Sequence, residues 1–249
     1  MNIFKTLKNK LAFVSSLIFW IATGSLTVIL FIVEALLLLL IFPFDKKRKL
    51  LHSQCFWWAN AVIGLNPYWN IKVEGLDNID KNKAYVVVAN HQSFADIVLM
   101  YKTYMQFKWV AKESLFKVPF IGWCLWLTKH IGLSRGNHGS IKKVYRKASY
   151  WLKNDMSVLF FPEGTRSDTG KMNKFQNGAF KLAIQEKKPI LPISINGTKD
   201  AIPKGSWRFK TRVNGRLTVL PPIETKDLKL GDYTLLRDNT FKDLESLTA

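Results

Sequence analysis

The amino-acid sequence predicts an α/β fold, with a mixed sheet flanked by helices and a hydrophobic, membrane-binding helical segment in front of it. From residue 71 onwards, short runs of β-branched and aromatic residues alternate with longer stretches at helical spacing, a pattern typical of layered strands and helices. Before that point, residues 11 to 44 carry a single ionisable side chain, Glu34. We therefore divide the chain into an N-terminal membrane-associating helical segment, residues 1–70, and an α/β domain, residues 71–249.

The apolar stretch at residues 11 to 44 is too long for one upright membrane span and short for two, because a span needs about 20 residues. Basic residues flank it at positions 5 to 10 and 46 to 49, and they favour a shallow hairpin that breaks at residues 23–25 and keeps both ends cytoplasmic. One tilted span is the alternative. A cleaved signal peptide is disfavoured, because its apolar core has roughly 7 to 15 residues. Four aromatic residues suit either an interfacial belt or the core, namely Trp57, Trp58, Tyr68 and Trp69.

Strands are predicted in the domain from their β-branched and aromatic content, at residues 71–74, 84–89, 107–111, 131–134, 157–161 and 190–194. Helices are predicted at residues 93–104, 119–129, 140–153, 177–186 and 232–249. Asn214-Gly215 is typical of a two-residue turn, so residues 209–213 and 216–220 are predicted to form a hairpin that extends the sheet.

The net charge of +19 indicates an anionic partner, such as nucleic acid, acidic lipid headgroups or a phosphorylated compound. A nucleic-acid-binding domain has no use for the long apolar segment, so an anionic membrane surface explains both features and no nucleic acid is expected. Cys55 and Cys124 stand outside any CxxC pair or histidine cluster. Neither a disulfide framework nor a metal site is therefore expected, and a reducing, cytoplasmic environment is the default.

The motif Asn90-His-Gln-Ser-Phe-Ala-Asp96 follows a predicted buried strand. His91 and Asp96 are thus expected at the carboxyl end of that strand, where α/β folds place ligands. A neutral imidazole can take a proton from an alcohol when its other ring nitrogen is held, and Asp96 is the carboxylate within reach of His91. The alternative is a capping box made by Ser93 and Asp96, with His91 as an ordinary loop residue.

A second motif, Phe161-Pro-Glu-Gly-Thr-Arg166, follows another predicted buried strand and brings Glu163, Thr165 and Arg166 to its end. The two motifs are expected to line one crevice. The alternative is a Pro-Glu-Gly turn with Glu163 and Arg166 as a solvated ion pair, which contributes little to stability. A base, its orienting carboxylate and anion-binding groups together favour transfer chemistry on a phosphorylated substrate.

These motifs resemble the first and third sequence blocks of the 1-acyl-sn-glycerol-3-phosphate acyltransferases. Residues 112–123 with residues 131–137 are similar to the second block of that family, and residues 188–194 to the fourth. The four blocks occur in the family's order over roughly residues 84 to 195, which is far more specific than one short motif. The chain is identified as a member of this family, with a glycerolipid acyltransferase-like fold.

The resemblance implies a membrane-bound enzyme that transfers a fatty acyl group from an acyl thioester to the sn-2 hydroxyl of 1-acyl-glycerol-3-phosphate, giving phosphatidic acid in phospholipid biosynthesis. His91 and Asp96 are expected to be catalytic. The residues that the resemblance assigns to the acceptor are Arg135, Glu163, Gly164, Thr165 and Arg166. No cofactor is expected, since the donor, acyl-coenzyme A or acyl-carrier protein, is itself a substrate. The sequence contains no Gly-x-Ser-x-Gly motif, so direct transfer is expected rather than an acyl-enzyme.

The expected partners are the lipid bilayer, a lysophospholipid acceptor and an acyl thioester donor, and the expected location is the cell membrane with the catalytic domain on its cytoplasmic side. Three other functions stay open at this point. They are an acyltransferase of the same family with another lysophospholipid or acyl acceptor, a hydrolase in which His91 and Asp96 activate water, and a basic non-catalytic module that binds acidic membranes. The sequence leaves the acyl chain length, the donor and the oligomeric state undecided.

Overall fold

The structure, a computed structural model, describes residues 2–167, 171–199, 201–202, 206–209 and 212–248, with side chains from residue 10 onwards. Its strands are β1 (Trp69–Glu74), β2 (Val86–Ala89), β3 (Phe107–Lys112), β4 (Ile131–Leu133), β5 (Ser157–Phe160), β6 (Ile190–Asn196) and β7 (Val213–Val219). They form one sheet in the order β1-β7-β6-β2-β5-β3-β4. β6 and β7 pair antiparallel and the other neighbours pair parallel, so β1 and β7 run against the rest. The predicted mixed α/β sheet is confirmed.

Helices cover both faces of this sheet. On one face lie α1 (Asn2–Ile41), α2 (Lys49–Gly64), α3 (Ala95–Met100) and α4 (Ile121–Leu127), and on the other lie α5 (His138–Lys153), α6 (Gly178–Glu186) and α7 (Tyr233–Leu247). Along β2, Val87 packs with the first layer and Val86 and Val88 with the second, because neighbouring side chains of a strand alternate. All three are fully buried, so the strand that carries the first motif is covered on both faces.

The predicted hairpin around Asn214-Gly215 is wrong, although the strands predicted between residues 71 and 194 are all present. Both residues lie inside β7, which pairs with β1 on one side and β6 on the other. Residues 210 and 211 of the predicted first strand lie outside the described residues. Gly215 pairs in register with Ile71 of β1, and a Cβ on it would lie 2.7 Å from Cδ1 of Ile71, so this glycine lies within a paired strand rather than in a turn.

The apolar segment forms one continuous helix, α1, so the predicted break at residues 23–25 is wrong. The hydroxyl of Thr27 donates to the carbonyl oxygen of Thr23 at 2.8 Å, which satisfies this polar group within the helix. The chain reverses instead at residues 42–48, where Pro43 lacks the N–H that a further helical turn needs. α2 then runs back antiparallel to α1, with Trp58 Nε1 donating to Thr27 Oγ1 at 3.2 Å.

α1 contains a stretch, Lys10–Ile41, that is long and apolar enough to cross a membrane. One side of this helix packs lengthwise on the rest of the chain, as between the rings of Phe19 and Phe209, whose centroids are 4.4 Å apart. The opposite side exposes large apolar side chains, among them Ile18, Ile21, Ile32 and Leu39. This exposed apolar side indicates membrane association.

The four aromatic residues considered for an interfacial belt divide into two pairs. Trp57 and Tyr68 are exposed, as a belt requires. Trp69 is buried, and Trp58 is half-buried against α1. Only the first pair therefore lies at the surface, and the second belongs to the packing between α1, α2 and the sheet.

Candidate active site

His91 and Asp96 are joined by a hydrogen bond of 2.7 Å between Nδ1 and Oδ2. Asn90 and His91 directly follow the last residue of β2, and Asp96 lies in the first turn of α3. The side chain of Asn90 anchors the strand end, because it exchanges two hydrogen bonds with the backbone of Ile195 in β6. A central strand and the following helix thus bring the two residues together.

Asp96 is fully buried, and both of its carboxylate oxygens accept hydrogen bonds. Oδ2 also accepts the backbone N–H groups of Gln92 at 2.6 Å and Ser93 at 2.8 Å, while Oδ1 accepts the hydroxyl of Thr198 at 2.5 Å. The bond from the Ser93 N–H is half of a capping box. The same carboxylate therefore satisfies a backbone N–H at the start of α3 and holds the imidazole of His91. Such donors are needed, because burial of an unpaired charge is costly.

The imidazole of His91 is 19% exposed, and its ring stacks on that of Phe161 with the centroids 4.3 Å apart. Because Asp96 holds Nδ1, Nε2 is the ring nitrogen left for chemistry. This is the geometry of a general base with its orienting carboxylate. The pair can take a proton from a hydroxyl group and stabilise the imidazolium that forms.

Glu163 links the second motif to the first. Its carboxylate oxygens accept the backbone N–H of His91 at 2.6 Å and that of Asn173 at 2.7 Å. Glu163 is 6% exposed; burial raises the pKa of its carboxyl, and the two backbone hydrogen bonds act in the opposite direction. The N–H of Ser167 donates in turn to the carbonyl oxygen of His91 at 2.9 Å. The two motifs therefore form one hydrogen-bonded unit.

Arg166 lies over the ring of Phe94, with 4.1 Å between the guanidinium carbon and the ring centroid. Phe94 immediately precedes α3, so this cation–π contact holds Arg166 beside the loop of the base. Between the two motif ends, Gly164 adopts a φ of +70° that favours glycine, and Thr165 is exposed. Gly164, Thr165 and Arg166 thus border the surface around His91.

Arg135 is exposed and follows β4, which lies three strands from β2 at the same edge of the sheet. At about 4.8 Å per strand, this separation is about 14 Å. The fold therefore brings Arg166 to the base and leaves Arg135 at the far border of the same sheet edge. Pro192 of the fourth block pairs with Val88 inside the sheet.

An apolar cavity of about 290 Å³ lies between α1 and α2 on one side and α3 and α4 on the other. Its lining includes Leu30, Cys55, Val62, Phe94, Ala95 and Cys124. Phe94 contacts both this cavity and Arg166, so the cavity reaches the loop that carries the base. Its volume is at the lower end of ligand sites, and its walls suit a hydrocarbon.

A separate group of buried titratable side chains lies where β3 meets the end of α4. Lys108 is fully buried and donates to the carbonyl oxygen of Thr128 at 2.8 Å, and burial lowers the pKa of Lys108 to about 7. The Nδ1 of His130 accepts the N–H of Trp109 at 3.1 Å, and burial lowers the pKa of His130 well below its usual range. Among the described residues, no three His, Cys, Asp or Glu side chains gather so as to hold a metal ion.

Both motifs lie within a match to a known protein family. Residues 70–196, half of the chain, match the family model described as Acyltransferase, and both motifs fall inside that range. The chain belongs to the acyltransferase family. The resemblance carried by the four sequence blocks is thereby confirmed.

Several curated acyltransferases are similar to the chain. It is 33% identical over 202 residues to the chloroplastic 1-acyl-sn-glycerol-3-phosphate acyltransferase LPAT1 of Arabidopsis thaliana, covering 81% of this chain and 56% of that one. It is 35% identical over 224 residues to a 1-acyl-sn-glycerol-3-phosphate acyltransferase of Chlamydomonas reinhardtii, covering 87% and 66%. It is 33% identical over 172 residues to the 1-acyl-sn-glycerol-3-phosphate acyltransferase of Pseudomonas aeruginosa, covering 67% of this chain and 65% of that one. The chain thus spans between about half and two thirds of these relatives.

A solved structure resembles this acyltransferase over nearly its whole length. It is the crystal structure of the 1-acyl-sn-glycerophosphate (LPA) acyltransferase PlsC from Thermotoga maritima, with a TM-score of 0.84 and 28% identity. The match covers 96% of this chain and 95% of that one. The acyltransferase fold therefore extends beyond residues 70–196 and takes in the N-terminal helices.

Sequence reasoning missed Thr198 and Phe94 as members of the candidate site, where they contact Asp96 and Arg166. Thr198 lies two residues beyond the end of β6, so the strand-end rule that selected His91 would also have selected it. Phe94 lies inside the first motif, but nothing in the sequence indicated its contact with Arg166, because only tertiary packing brings the two residues together.

Proposed function

We propose that this acyltransferase moves a fatty acyl group from an acyl thioester to the sn-2 hydroxyl of 1-acyl-glycerol-3-phosphate and so produces phosphatidic acid. The observation that carries the proposal is the 2.7 Å bond between His91 and Asp96 in a site that also holds Arg166. The names of the relatives support this choice of acceptor over another lysophospholipid.

The reaction begins when Nε2 of His91 removes the proton of the acceptor hydroxyl. The hydroxyl oxygen attacks the thioester carbonyl carbon, a C–O bond forms, and the C–S bond breaks as the carbonyl is restored. The departing thiolate takes up the proton that the His91 imidazolium had held and leaves as a thiol. Asp96 keeps the ring in the required orientation and stabilises its positive charge in between.

Arg166 binds the acceptor phosphate in this proposal, because a guanidinium presents several N–H donors in a planar fork that suits phosphate. Gly164 and Thr165 border the same space, and Arg135 meets the headgroup or donor from the far side of the sheet edge. Glu163 contributes by fixing backbone rather than by touching the acceptor, since both of its oxygens face backbone N–H groups.

The apolar cavity takes up a fatty acyl chain beside the reacting groups. It reaches the loop of His91 at Phe94 and Ala95 and extends between α1, α2 and α4. Removal of a long hydrocarbon from water is favourable by about 0.8 kcal/mol for each buried methylene group. This burial of hydrocarbon holds the fatty acyl chain in the cavity.

The donor is an anionic thioester, acyl-coenzyme A or acyl-carrier protein, that approaches α5. This helix carries five basic residues and no acidic one, whereas α6 and α7 on the same face of the sheet mix both signs. Lys142, Lys143, Arg146 and Lys147 are exposed, and α5 begins at the sheet edge where the site lies. Because α1 covers the opposite face of the sheet, this basic surface faces water rather than the bilayer.

Residues 1–70 attach the enzyme to the cell membrane, and the catalytic domain, residues 71–249, lies on its cytoplasmic side. α1 is held lengthwise against the domain, which favours insertion of its exposed side into the bilayer over a tilted crossing. The basic residues on both flanks then stay in the cytoplasm with the anionic headgroups.

The decisive experiment measures thiol release from acyl-coenzyme A and acyl-carrier protein by the vesicle-bound enzyme, with and without lysophosphatidate, and identifies the lipid product by mass spectrometry. We expect release that depends on the acceptor, yields phosphatidic acid, and falls to a small but measurable residual rate in His91→Ala and Asp96→Asn but not in the exposed control Asp243→Asn. Release without acceptor would instead support a hydrolase. Turnover of a different lysophospholipid alone would reject the proposed acceptor.

A further inference from the structure

Thr198 lies in the candidate site although it is outside the four sequence blocks, the last of which ends at residue 194. Its hydroxyl donates to Oδ1 of Asp96 at 2.5 Å, whereas His91, Gln92 and Ser93 all donate to Oδ2. Among the described residues, Thr198 is the donor to Oδ1. Two separate parts of the chain thus hold the carboxylate: the loop of residues 91–93 binds Oδ2, and the segment after β6 binds Oδ1.

The fold builds the turn that delivers this hydroxyl. Gly197 has a φ of +74°, and a Cβ at that position would overlap the carbonyl oxygen of Asn214, so only glycine fits. Beyond the turn, the carbonyl oxygen of Thr198 accepts the N–H of Ala201 at 2.8 Å. Thr198 itself is fully buried. A constrained backbone therefore holds the side chain against Asp96.

We infer that Thr198 is a positioning residue for the base: by fixing Oδ1, its hydroxyl keeps the Asp96 carboxylate in the plane that aligns His91. Without the Thr198 hydroxyl, only the three donors to Oδ2 oppose rotation of the carboxylate about its Cβ–Cγ bond, and any such rotation moves the acceptor of the His91 Nδ1–H. Burial makes the loss more severe, because water has no access to replace the missing donor. The inference rests on the proposed function only in taking His91 as the base.

The test compares Thr198→Val, which keeps the shape and removes the hydroxyl, with Thr198→Ser, which keeps the hydroxyl and removes the methyl group. With whichever acceptor the wild-type enzyme uses, we expect Thr198→Val to lower kcat roughly 10- to 100-fold, with the KM of both substrates unchanged. Thr198→Ser should keep kcat within about threefold of wild type. If Thr198→Val does not fold by circular dichroism, Thr198→Ala takes its place.

A double-mutant cycle then separates positioning from packing. If Thr198 acts through Asp96, Thr198→Val should lower kcat little further in an Asp96→Asn background, because the group that it orients has already lost its role. Full activity of Thr198→Val, an equal loss in Thr198→Ser, or additive losses in the cycle would each overturn the inference. Absence of transfer to lysophosphatidate by the wild type would reject the proposed acceptor and leave this comparison to be made with the true one.

Discussion

Glu163 accepts a hydrogen bond of 2.6 Å from the backbone N–H of His91, across 72 positions of sequence. Its second oxygen binds the backbone N–H of Asn173 at 2.7 Å. A carboxylate of the second motif therefore fixes the backbone at His91, the proposed base in the first motif. The two motifs are thus joined in space although neither overlaps the other in sequence.

Glu163→Gln should reduce catalysis without removing any group that contacts substrate. Glutamine retains one carbonyl oxygen for one backbone N–H and turns an NH₂ group towards the other, which leaves a buried donor unpaired at a cost of about 1–3 kcal/mol. We expect a lower kcat and a lower thermal unfolding midpoint, measured by thioester consumption and by thermal denaturation in detergent. The exposed residue Glu245 provides the matched control, Glu245→Gln. Wild-type kcat in Glu163→Gln would contradict the linking role.

Arg166→Ala should weaken acceptor use selectively. Loss of a charge-assisted contact to phosphate is expected to raise the acceptor KM or lower kcat/KM by roughly 10- to 100-fold, with the donor KM unchanged. Phe94→Leu should shift the same constant in the same direction by less, because it removes the cation–π contact but leaves the guanidinium in place. Arg216→Ala, at an exposed pair with Glu74, is the control. An unchanged acceptor dependence in Arg166→Ala would reject the phosphate role.

Membrane binding should depend on the exposed side of α1. Ile18 and Ile21 are each 62% exposed, and burial of this exposed part in a bilayer stabilises binding by about 1–2 kcal/mol each. We expect Ile18→Glu and Ile21→Glu each to weaken partitioning into anionic vesicles at least about tenfold in sedimentation assays. Leu235 is 65% exposed on α7, across the sheet, so Leu235→Glu should partition as the wild type does. Equal losses from all three would show that α1 has no special part.

Lys108 should make folding stability depend on pH. Burial lowers its pKa in the folded protein to about 7, below the ordinary value of 10.5, so between these values the unfolded chain binds more protons and stability rises with pH. Relative to Lys108→Met, the wild type should gain up to about 1.4 kcal/mol per pH unit between pH 7 and 9. Unfolding midpoints measured at several pH values test this, with the exposed-site variant Lys226→Met as control. Parallel pH profiles for wild type and Lys108→Met would contradict it.

Local patterns predicted the elements that tertiary contacts reinforce. The runs at residues 84–89 and 157–161 form neighbouring strands in the centre of the sheet. Their apolar side chains point to both faces of the strand, and only a strand that is covered on both faces removes all of them from water. The hairpin at Asn214-Gly215 was predicted from a turn signal that is real in isolation. In the folded protein the same residues lie inside β7, which forms backbone hydrogen bonds with β1 on one side and β6 on the other, and Gly215 leaves room for the side chain of Ile71.

The sequence by itself determined the family, the strands between residues 71 and 194, and the position of His91 and Asp96 just beyond the end of one strand, because these depend on residue types at short spacing. Tertiary structure decided that α1 continues through residues 23–25, that Glu163 binds backbone, and that Thr198 completes the carboxylate site. The physical reason is distance along the chain. A hydrogen bond between residues about a hundred positions apart produces no repeating pattern that the sequence could show. Only the packing of the sheet brings its two partners to within 3 Å of each other.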